Sequence, residues 1–412
     1  MFRCITELKG LIIDIDSFSN KSPNEWAIFF EEYKCVFLTS SDTTAHSISM
    51  RLGEEYVLLL SEFEMHFAPN ISTHNRALKK LGLLSTEVAY VSHSTDFISN
   101  AMGFMTGTIW ITSKVSYEDI SSAADIVAPT IERVYEMLRD KTRGFLGELA
   151  LFSKGSKKGT ILQVPFSVDE KVFPLIALGR YYGYNHYMSQ MHPYSSAIVL
   201  NKKRGKPYYG LFDREFASLY LAALNQVMQA NDVYGICSVP PRVGNDNRFS
   251  VILNTIAAYT RIKNLDGLLS CKEPYELQKT LSRKGREDNV RGVFQVNQQL
   301  NRNTIVLIDD IASTGSTLRE CARVLEQSGA ERIIVIVLGV NQIRESYWSS
   351  VPVQVTCKTC GERMQLLVNS NTKEFFYRCF KCSSTKSFVT GRKEVIEMVN
   401  REVKITNDRF SF

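Results

Sequence analysis

The sequence predicts an α/β protein with two domains built on parallel sheets and a small cysteine-rich domain behind them. Short apolar runs alternate with amphipathic stretches over the first 140 residues, and the alternation resumes from about residue 205. Two Cys-x-x-Cys pairs follow between residues 357 and 382. Because neighbouring parallel strands need a crossover that is usually helical, this alternation favours parallel sheets flanked by helices.

The first 140 residues contain apolar runs typical of buried strands, together with amphipathic helices. The strands are expected at 10–15, 35–39, 88–91 and 108–112, and the helices at 74–82 and 128–140. Gly82 should end the first helix, because glycine readily adopts the left-handed conformation that closes many helices. Pro129 lies near the start of the second helix, where a missing N–H is tolerated.

The rest of the chain repeats this pattern. The helices are expected at 213–230, 249–263 and 317–328, and the strands at 233–239, 304–308 and 333–340. The segment 153–159 is rich in Lys, Gly and Ser and is typical of a solvated linker. We therefore expect five regions: a first α/β domain (1–140), a linker and hood segment (141–204), a second α/β domain (205–345), a cysteine-rich domain (346–393) and a C-terminal tail (394–412).

The charge is unevenly distributed along the 412 residues. The whole chain has a formal charge of +6, with 44% hydrophobic and 22% charged residues, so a mainly disordered or fibrous protein is excluded. Residues 1–140 carry 11 Lys/Arg against 19 Asp/Glu, residues 141–356 carry 27 against 18, and residues 357–393 carry 8 against 2. An acidic part followed by two basic parts indicates different ligands for different domains.

No apolar run approaches the ~20 residues that a membrane span needs. The apolar run near the N-terminus is broken by acids, unlike the core of a secretory signal. We therefore expect a cytoplasmic protein with no membrane partner. In that compartment its nine cysteines would be thiols or metal ligands rather than disulfides.

The most specific motif lies at residues 305–317. An apolar strand ends in Asp309 and Asp310, whose carboxylates can accept hydrogen bonds from two adjacent ribose hydroxyls. A loop of small residues follows, whose N–H groups and hydroxyls can surround a phosphate at a helix N-terminus. The loop residues are Ala312, Ser313, Thr314, Gly315, Ser316 and Thr317. An ordinary strand-to-helix turn is the alternative, but paired acids followed by Thr-Gly-x-Thr favour a sugar-phosphate site.

This motif resembles the phosphoribosyl pyrophosphate (PRPP) loop of type I phosphoribosyltransferases. Within that group the chain is similar to the competence protein F (ComF-like) family over about residues 205–340. The matching residues outside the loop are Val239, Pro240, Arg242, Arg248, Phe249, Gln278, Arg286, Asn289 and Phe294. The resemblance implies a parallel sheet flanked by helices, with PRPP as substrate and Mg²⁺ bound to it.

The resemblance also implies roles for individual residues. Asp309 and Asp310 would bind the ribose hydroxyls. The other substrate-binding residues would be Arg242, Arg248, Arg286, Asn289 and the loop 312–317. Residues 278–294 would form a mobile cover, although a solvated basic loop is the simpler alternative. Pyrophosphate would leave ribose C1 in favour of an unidentified base or amine, so the protein would act mainly by positioning and charge neutralisation.

The four cysteines near the C-terminus have the spacing of a zinc ribbon. The predicted Zn²⁺ ligands are Cys357, Cys360, Cys379 and Cys382. A closed four-thiolate site leaves no open coordination position, so the metal would be structural. The basic ribbon could bind single-stranded nucleic acid through its aromatic residues, but we favour their use as a small core. These aromatics are Phe375, Phe376, Tyr377 and Phe380.

A second pair of acids lies at the end of the first strand. Asp14 and Asp16 are two residues apart, a spacing that aims both carboxylates the same way. One carboxylate can attack a phosphate and its neighbour can act as acid or base. With Thr39 and residues 77–94, they resemble haloacid dehalogenase (HAD)-like phosphatases over 1–140.

That resemblance implies that Asp14 is the nucleophile, Asp16 the general acid/base and Thr39 a phosphate contact. It also implies a Mg²⁺ ion held by Asp14, Asp16 and Asp96. The chain departs from the family at its last motif, where His93 replaces one acid and Asp96 is displaced by one position. A degenerate domain that only binds a ligand or a partner is therefore the alternative.

Two functions follow. In the first, the chain transfers phosphoribose from PRPP, and the HAD-like domain then removes the 5′-phosphate. In the second, a non-catalytic ComF-like accessory protein senses PRPP or a nucleotide and associates with nucleic acid through its basic ribbon. Assembly into a homo-oligomer is compatible with either function.

Overall fold

The structure is a computed structural model that describes residues 7–19, 22–142, 144–152, 159–184, 186–275, 283–342 and 354–409. Most of the linker predicted at 153–159 lies outside the described residues, as does Gln278. No helix among the described residues is both long and apolar enough to span a membrane.

The first sheet is parallel and consists of six strands in the order β3-β2-β1-β4-β5-β6. The strands are β1 (Gly10–Asp14), β2 (Lys34–Thr39), β3 (Val57–Leu59), β4 (Val88–Ser92), β5 (Gly107–Ile111) and β6 (Ile126–Ala128). The helices are α1 (Asp42–Leu52), α2 (Glu62–His66), α3 (Ile71–Leu81), α4 (Thr95–Met102) and α5 (Ile131–Arg139). Gly82 ends α3 in the left-handed conformation, as predicted.

The second sheet is built from residues between 162 and 342. Its region contains the strands β7 (Leu162–Val168), β8 (Lys171–Ala177), β9 (Arg180–Tyr182), β10 (Val233–Ser238), β11 (Lys263–Asn264), β12 (Leu269–Cys271), β13 (Phe294–Val296), β14 (Thr304–Ala312) and β15 (Arg332–Gln342). The helices are α6 (Leu146–Phe152), α7 (Pro193–Asn201), α8 (Asp213–Met228), α9 (Ser250–Tyr259), α10 (Arg283–Val290) and α11 (Ser316–Gln327).

The order in this sheet is β11-β10-β14-β15-β8-β7, with β9 also paired to β15. β7 runs antiparallel to β8, so the sheet is mixed, while β12 and β13 form a separate pair. β14 is central and apolar on both faces, with Ile305 and Leu307 in one core and Val306 and Ile308 in the other. Strands β7 to β9 belong to the region predicted as linker and hood, so the sheet begins well before residue 205.

The C-terminal sheet is small and antiparallel. It contains β16 (Gln365–Val368), β17 (Phe375–Arg378) and β18 (Thr385–Ser387), and the helix α12 (Phe388–Arg409) follows. α12 thus covers much of the predicted tail. The α/β class predicted from the alternation of runs is confirmed, with one parallel and one mixed sheet.

A buried ion network joins the first and second sheets. Arg180, at the start of β9, is 2% exposed and donates to both carboxylate oxygens of Glu148 at 2.8 and 2.9 Å. Its guanidinium also lies 2.8 Å from Asp125, in the connection between β5 and β6 of the first sheet. Burial alone would raise the pKa of Glu148, but nearby positive charge, chiefly that of Arg180, and hydrogen bonds from Arg180 and His192 together outweigh burial and hold that pKa well below its usual range. The pairing makes three buried charges tolerable where two domains meet.

Replacing Arg180 by Met should strongly destabilise the protein. Glu148 and Asp125 would be left buried without their cation, and breaking such a pair costs about 3–5 kcal/mol. Arg133→Met is the matched control, because Arg133 forms an exposed pair with Glu136 and such pairs contribute about 1 kcal/mol or less. Urea unfolding followed by tryptophan fluorescence measures both effects. Equal midpoints for the two variants would contradict the structural role of Arg180.

Candidate functional site

The paired acids lie at the carboxyl end of the central strand β14. Asp309 and Asp310 are each 8% exposed, and the guanidinium of Arg248 bridges them at 3.1 and 3.2 Å. The ammonium group of Lys202, just after α7, lies 3.0 Å from the second oxygen of Asp310. The hydroxyl of Tyr220 donates to the backbone carbonyl of Asp309 at 2.7 Å. The two carboxylates are therefore held by cations from two different segments.

The two carboxyls differ in acidity. Burial, followed by the adjacent Asp310 charge, raises the pKa of Asp309 to about 7. Burial also acts on Asp310, but the charges of Arg248 and Lys202 outweigh it and hold the pKa of Asp310 below its usual range. Near neutral pH the pair therefore carries between one and two negative charges. These charges can accept hydrogen bonds from sugar hydroxyls or pair with a cation.

The predicted phosphate loop lies between β14 and α11. Gly315 has a φ of +79°, which favours glycine, and α11 begins at Ser316 directly after it. The Thr314 and Ser316 hydroxyls are 2.9 Å apart, and a guanidinium nitrogen of Arg286 lies 3.5 Å from the Ser313 hydroxyl. Ala312 is buried at the end of β14, whereas Thr317 lies in the first turn of the helix. The strand, loop and helix start thus follow each other as the motif predicts.

The remaining predicted contacts lie around this loop at different depths. Arg242 stacks on the ring of Tyr275, with its guanidinium carbon 4.8 Å from the ring centre. Asn289 is half-buried on α10, the helix that also carries Arg286. Phe294 is buried at the start of β13. The structure therefore brings Arg248 onto the carboxylates and Arg286 near the loop, whereas Arg242 stacks on an aromatic ring.

The second pair of acids occupies the carboxyl end of the first sheet. Asp14 accepts a 2.7 Å hydrogen bond from the hydroxyl of Ser92, and burial raises its pKa to about 6. Asp16 accepts hydrogen bonds from the Thr39 hydroxyl at 2.7 Å and from the backbone and hydroxyl of Ser40 at 2.7 and 2.8 Å. Asp14, Asp16 and Thr39 thus lie in one hydroxyl-rich cluster.

Asp96 is exposed, unlike the buried Asp14 of this cluster, and it lies on the first turn of α4. Among the described residues, the four cysteines are the only group of three or more side chains whose ligand atoms lie close enough together to share one metal ion. Asp14, Asp16 and Asp96 do not form such a group, and Mg²⁺ binding by these three stays a prediction.

The four cysteines converge at one end of the C-terminal sheet, with their ligand atoms all within 4.8 Å of one another. The Sγ atoms of Cys357 and Cys382 are 3.4 Å apart, and Cys360 lies 3.5 Å from Cys379 and 3.7 Å from Cys382. A tetrahedral Zn²⁺ with Zn–S bonds of ~2.3 Å places its sulfur atoms ~3.8 Å apart. The donor set therefore fits zinc in both chemistry and size.

The aromatic residues of this sheet serve packing to different extents. Tyr377 is fully buried and its hydroxyl donates to the Gln190 carbonyl. Phe375 stacks on Phe212 of the second-sheet region, with ring centres 6.0 Å apart. Phe380 is 62% exposed. Tyr377 and Phe375 thus pack in the protein, as expected if these aromatic residues form a small core, whereas Phe380 faces solvent.

Sequence reasoning missed several residues of the carboxylate site and its loop. These are Lys202, Tyr220, Tyr117 and Arg319, of which Tyr117 comes from the first-sheet region and donates to Ser313. They lie far from the motif in sequence or, for Arg319, look like an ordinary helix-surface cation. Only the +9 balance of residues 141–356 hints at surplus cations near an anionic ligand.

Comparisons with known proteins agree with the central site. Residues 278–365 match the family described as "Phosphoribosyl transferase domain". Competence protein F of Haemophilus influenzae is 28% identical over 92 residues, which are 22% of this chain and 40% of that protein. The match thus spans about two fifths of that curated relative's length. A phosphoribosyltransferase-like domain is therefore present, and part of the chain is similar to competence protein F.

A solved structure of Leishmania donovani UMP synthase aligns with 77% of this chain and 68% of its own, at 13% identity and a TM-score of 0.22. The resemblance of residues 1–140 to HAD-like phosphatases stays a prediction.

Asp309→Asn should stabilise the protein more at high pH than at low pH. The folded carboxyl titrates near 7, well above an exposed aspartate. The folded state therefore holds an extra proton, and wild type loses stability as pH rises towards and through about 7. The melting temperature of the variant minus that of wild type should increase between about pH 5 and about pH 8. A constant difference would contradict the raised pKa.

Cys379→Ser should remove the predicted zinc and lower the melting temperature, because the fully buried Cys379 would no longer supply a thiolate. Cys271→Ser is the control, since Cys271 lies outside the four-cysteine group. Elemental analysis of purified protein should find one zinc per chain in wild type and in the control. Wild-type protein that binds no added zinc would contradict the assignment.

Proposed function

We propose that this protein is a phosphoribosyltransferase that uses PRPP with Mg²⁺ to attach phosphoribose to a base or amine. The observation that carries the proposal is the buried pair Asp309–Asp310 followed by a glycine loop at the start of α11. This arrangement lies inside the stretch that matches the phosphoribosyltransferase family.

In this proposal Asp309 and Asp310 accept hydrogen bonds from the two ribose hydroxyls, and the loop 312–317 holds the 5′-phosphate. Mg²⁺ bound with PRPP would neutralise part of the pyrophosphate charge. The bond between ribose C1 and the pyrophosphate oxygen breaks, and pyrophosphate leaves with its electron pair. The acceptor nitrogen supplies the new bond to C1 and releases a proton to solvent. The nearby carboxylates favour the positive charge that develops on the ribose.

Arg248 and Lys202 would exchange partners during binding. In the free protein both cations lie on the carboxylates that the ribose hydroxyls would occupy. Because pyrophosphate is a polyanion, it can draw at least one of them away while the hydroxyls replace it as hydrogen-bond donors. The buried acids would thus be stabilised by the two cations before PRPP binds and, at least in part, by the ribose hydroxyls afterwards.

The non-catalytic alternative is favoured by the same contacts. A carboxylate pair already neutralised by Arg248 and Lys202 can serve to sense PRPP or a nucleotide without turnover. The exposed Phe380 and the exposed lysines Lys358 and Lys381, which pair with Glu394 and Glu362, would give such a protein an aromatic ring and cations for nucleic acid on the C-terminal sheet region. Dephosphorylation by the first-sheet region, with Asp14 as nucleophile, is a further step that the hydroxyl-rich cluster around Asp14 would support.

Turnover should require the paired acids. Wild-type protein incubated with PRPP, Mg²⁺ and a panel of bases and amines should release pyrophosphate. The double variant Asp309→Asn/Asp310→Asn should be slower by about 10²-fold or more, because the developing charge loses its carboxylates. Asp140→Asn, at an exposed acid, is the control.

The outcomes separate the two functions. Release of pyrophosphate by wild type and by Asp140→Asn, with much slower release by the double variant, supports the transferase. Tight PRPP binding without turnover, lost in the double variant, would replace it with the sensing function. Inorganic phosphate released after the transfer, and abolished by Asp14→Asn, would add the dephosphorylation step.

A further inference from the structure

Tyr117 connects the first sheet to the phosphate loop of the second. It lies in the connection between β5 and β6 and is 8% exposed. Its hydroxyl donates a 3.0 Å hydrogen bond to the backbone carbonyl of Ser313. The two residues are 196 positions apart, so this contact exists only because the two sheets are packed together.

Arg319 acts on the next peptide of the same loop. It lies on the first turn of α11 and donates to the Thr314 carbonyl at 2.6 Å and to the Ser167 carbonyl at 3.2 Å. Its guanidinium carbon lies 5.2 Å from the ring centre of Tyr117 and 5.0 Å from that of Phe166. The two rings therefore hold the guanidinium against the loop, with favourable cation–π contacts.

These two carbonyl contacts orient the N–H groups of the loop. In a planar trans peptide the C=O and the N–H point to opposite sides. The Ser313 carbonyl shares its peptide with the Thr314 N–H, and the Thr314 carbonyl shares the next with the Gly315 N–H. Because Tyr117 and Arg319 bind both carbonyls from the protein side, both N–H groups are turned away from these side chains. A row of N–H groups next to a helix start is the arrangement that binds phosphate.

The packing around Gly315 is tight enough to fix this orientation. A Cβ atom at Gly315 would lie 2.8 Å from the Tyr117 hydroxyl and 2.9 Å from the Phe166 ring. The connection that carries Tyr117 is itself fixed farther along, where the Ala123 N–H donates to the Gln342 side chain at 3.0 Å. The Gln342 amide in turn donates to the Ile120 carbonyl at 2.9 Å.

We infer that Tyr117, supplied by the first-sheet region, is a positioning residue of the phosphate loop and acts with Arg319 to pre-orient its N–H groups for the 5′-phosphate of PRPP. This inference rests on the proposed function. The first-sheet region is then part of the PRPP site, whatever chemistry its own carboxylates perform.

The test compares two ligands by isothermal titration calorimetry, PRPP and inorganic pyrophosphate, each with Mg²⁺. Only PRPP carries a 5′-phosphate. Tyr117→Phe keeps the ring that packs on Arg319 but removes the hydroxyl. It should weaken PRPP binding about three- to tenfold, the effect of one hydrogen bond, and leave pyrophosphate binding unchanged. Tyr377→Phe is the matched control, because it removes an interdomain hydroxyl bond of 2.9 Å that is not made to the loop.

Arg319→Lys provides a second variant that keeps the positive charge but not the planar group between the rings. It should show the same selective loss, and it tests the inference if Tyr117→Phe does not fold. Unchanged PRPP affinity in the folded variants, or equal weakening of both ligands, would overturn the role of Tyr117. Wild-type protein that does not bind PRPP would instead overturn the proposed function, and this inference with it.

Discussion

The arrangement of the whole molecule depends on the buried guanidinium of Arg180. It neutralises Glu148 from α6 and Asp125 from the first sheet, and it stacks on the rings of Phe145 and Tyr182. An isolated charge at that depth would be prohibitively costly, so these segments are stable only when they meet. The same meeting fixes the β5–β6 connection against the second sheet. The contact of this connection with the loop 312–317 is therefore a consequence of domain packing rather than of local sequence.

The carboxylate site likewise depends on pairing buried acids with cations. Asp309 and Asp310 are buried because β14 is the central strand, covered by apolar cores on both faces. Two acids in such a position require nearby cations. These are Lys202, just after α7, and Arg248, shortly before α9. Burial, adjacency and opposite charge then give the two carboxyls different proton affinities. A site of this kind is costly for folding and suited to a ligand that brings its own hydroxyl donors.

What the sequence allowed one to predict was local. Apolar runs give β1, β2, β4, β5, β10, β14 and β15, because a buried strand must be apolar, and the loop after Asp310 and the two cysteine pairs depend on spacings within a few residues. Lys202, Tyr117 and Arg180 could not be predicted, because their partners are 108, 196 and 32 positions away. Strand β7 was missed because its apolar residues alternate with polar ones next to a linker-like segment, and β8 because Pro174 interrupts its apolar run. Asp96 is grouped with Asp14 only through the resemblance to a family motif; it lies exposed on α4, and its part in Mg²⁺ binding stays a prediction.

The last helix closes the molecule on itself. The core beneath the C-terminal sheet contains Met105 of the first-sheet region, Met188 and Met191 of the second, and Val395 and Val399 of α12. Farther along α12, the side chain of Asn400 exchanges hydrogen bonds with Thr86 next to β4. The three parts are thus joined in a cycle of interfaces rather than in a row. Separating any one of them requires two interfaces to open at once, so the thermodynamic units of unfolding are expected to be larger than the sheets themselves.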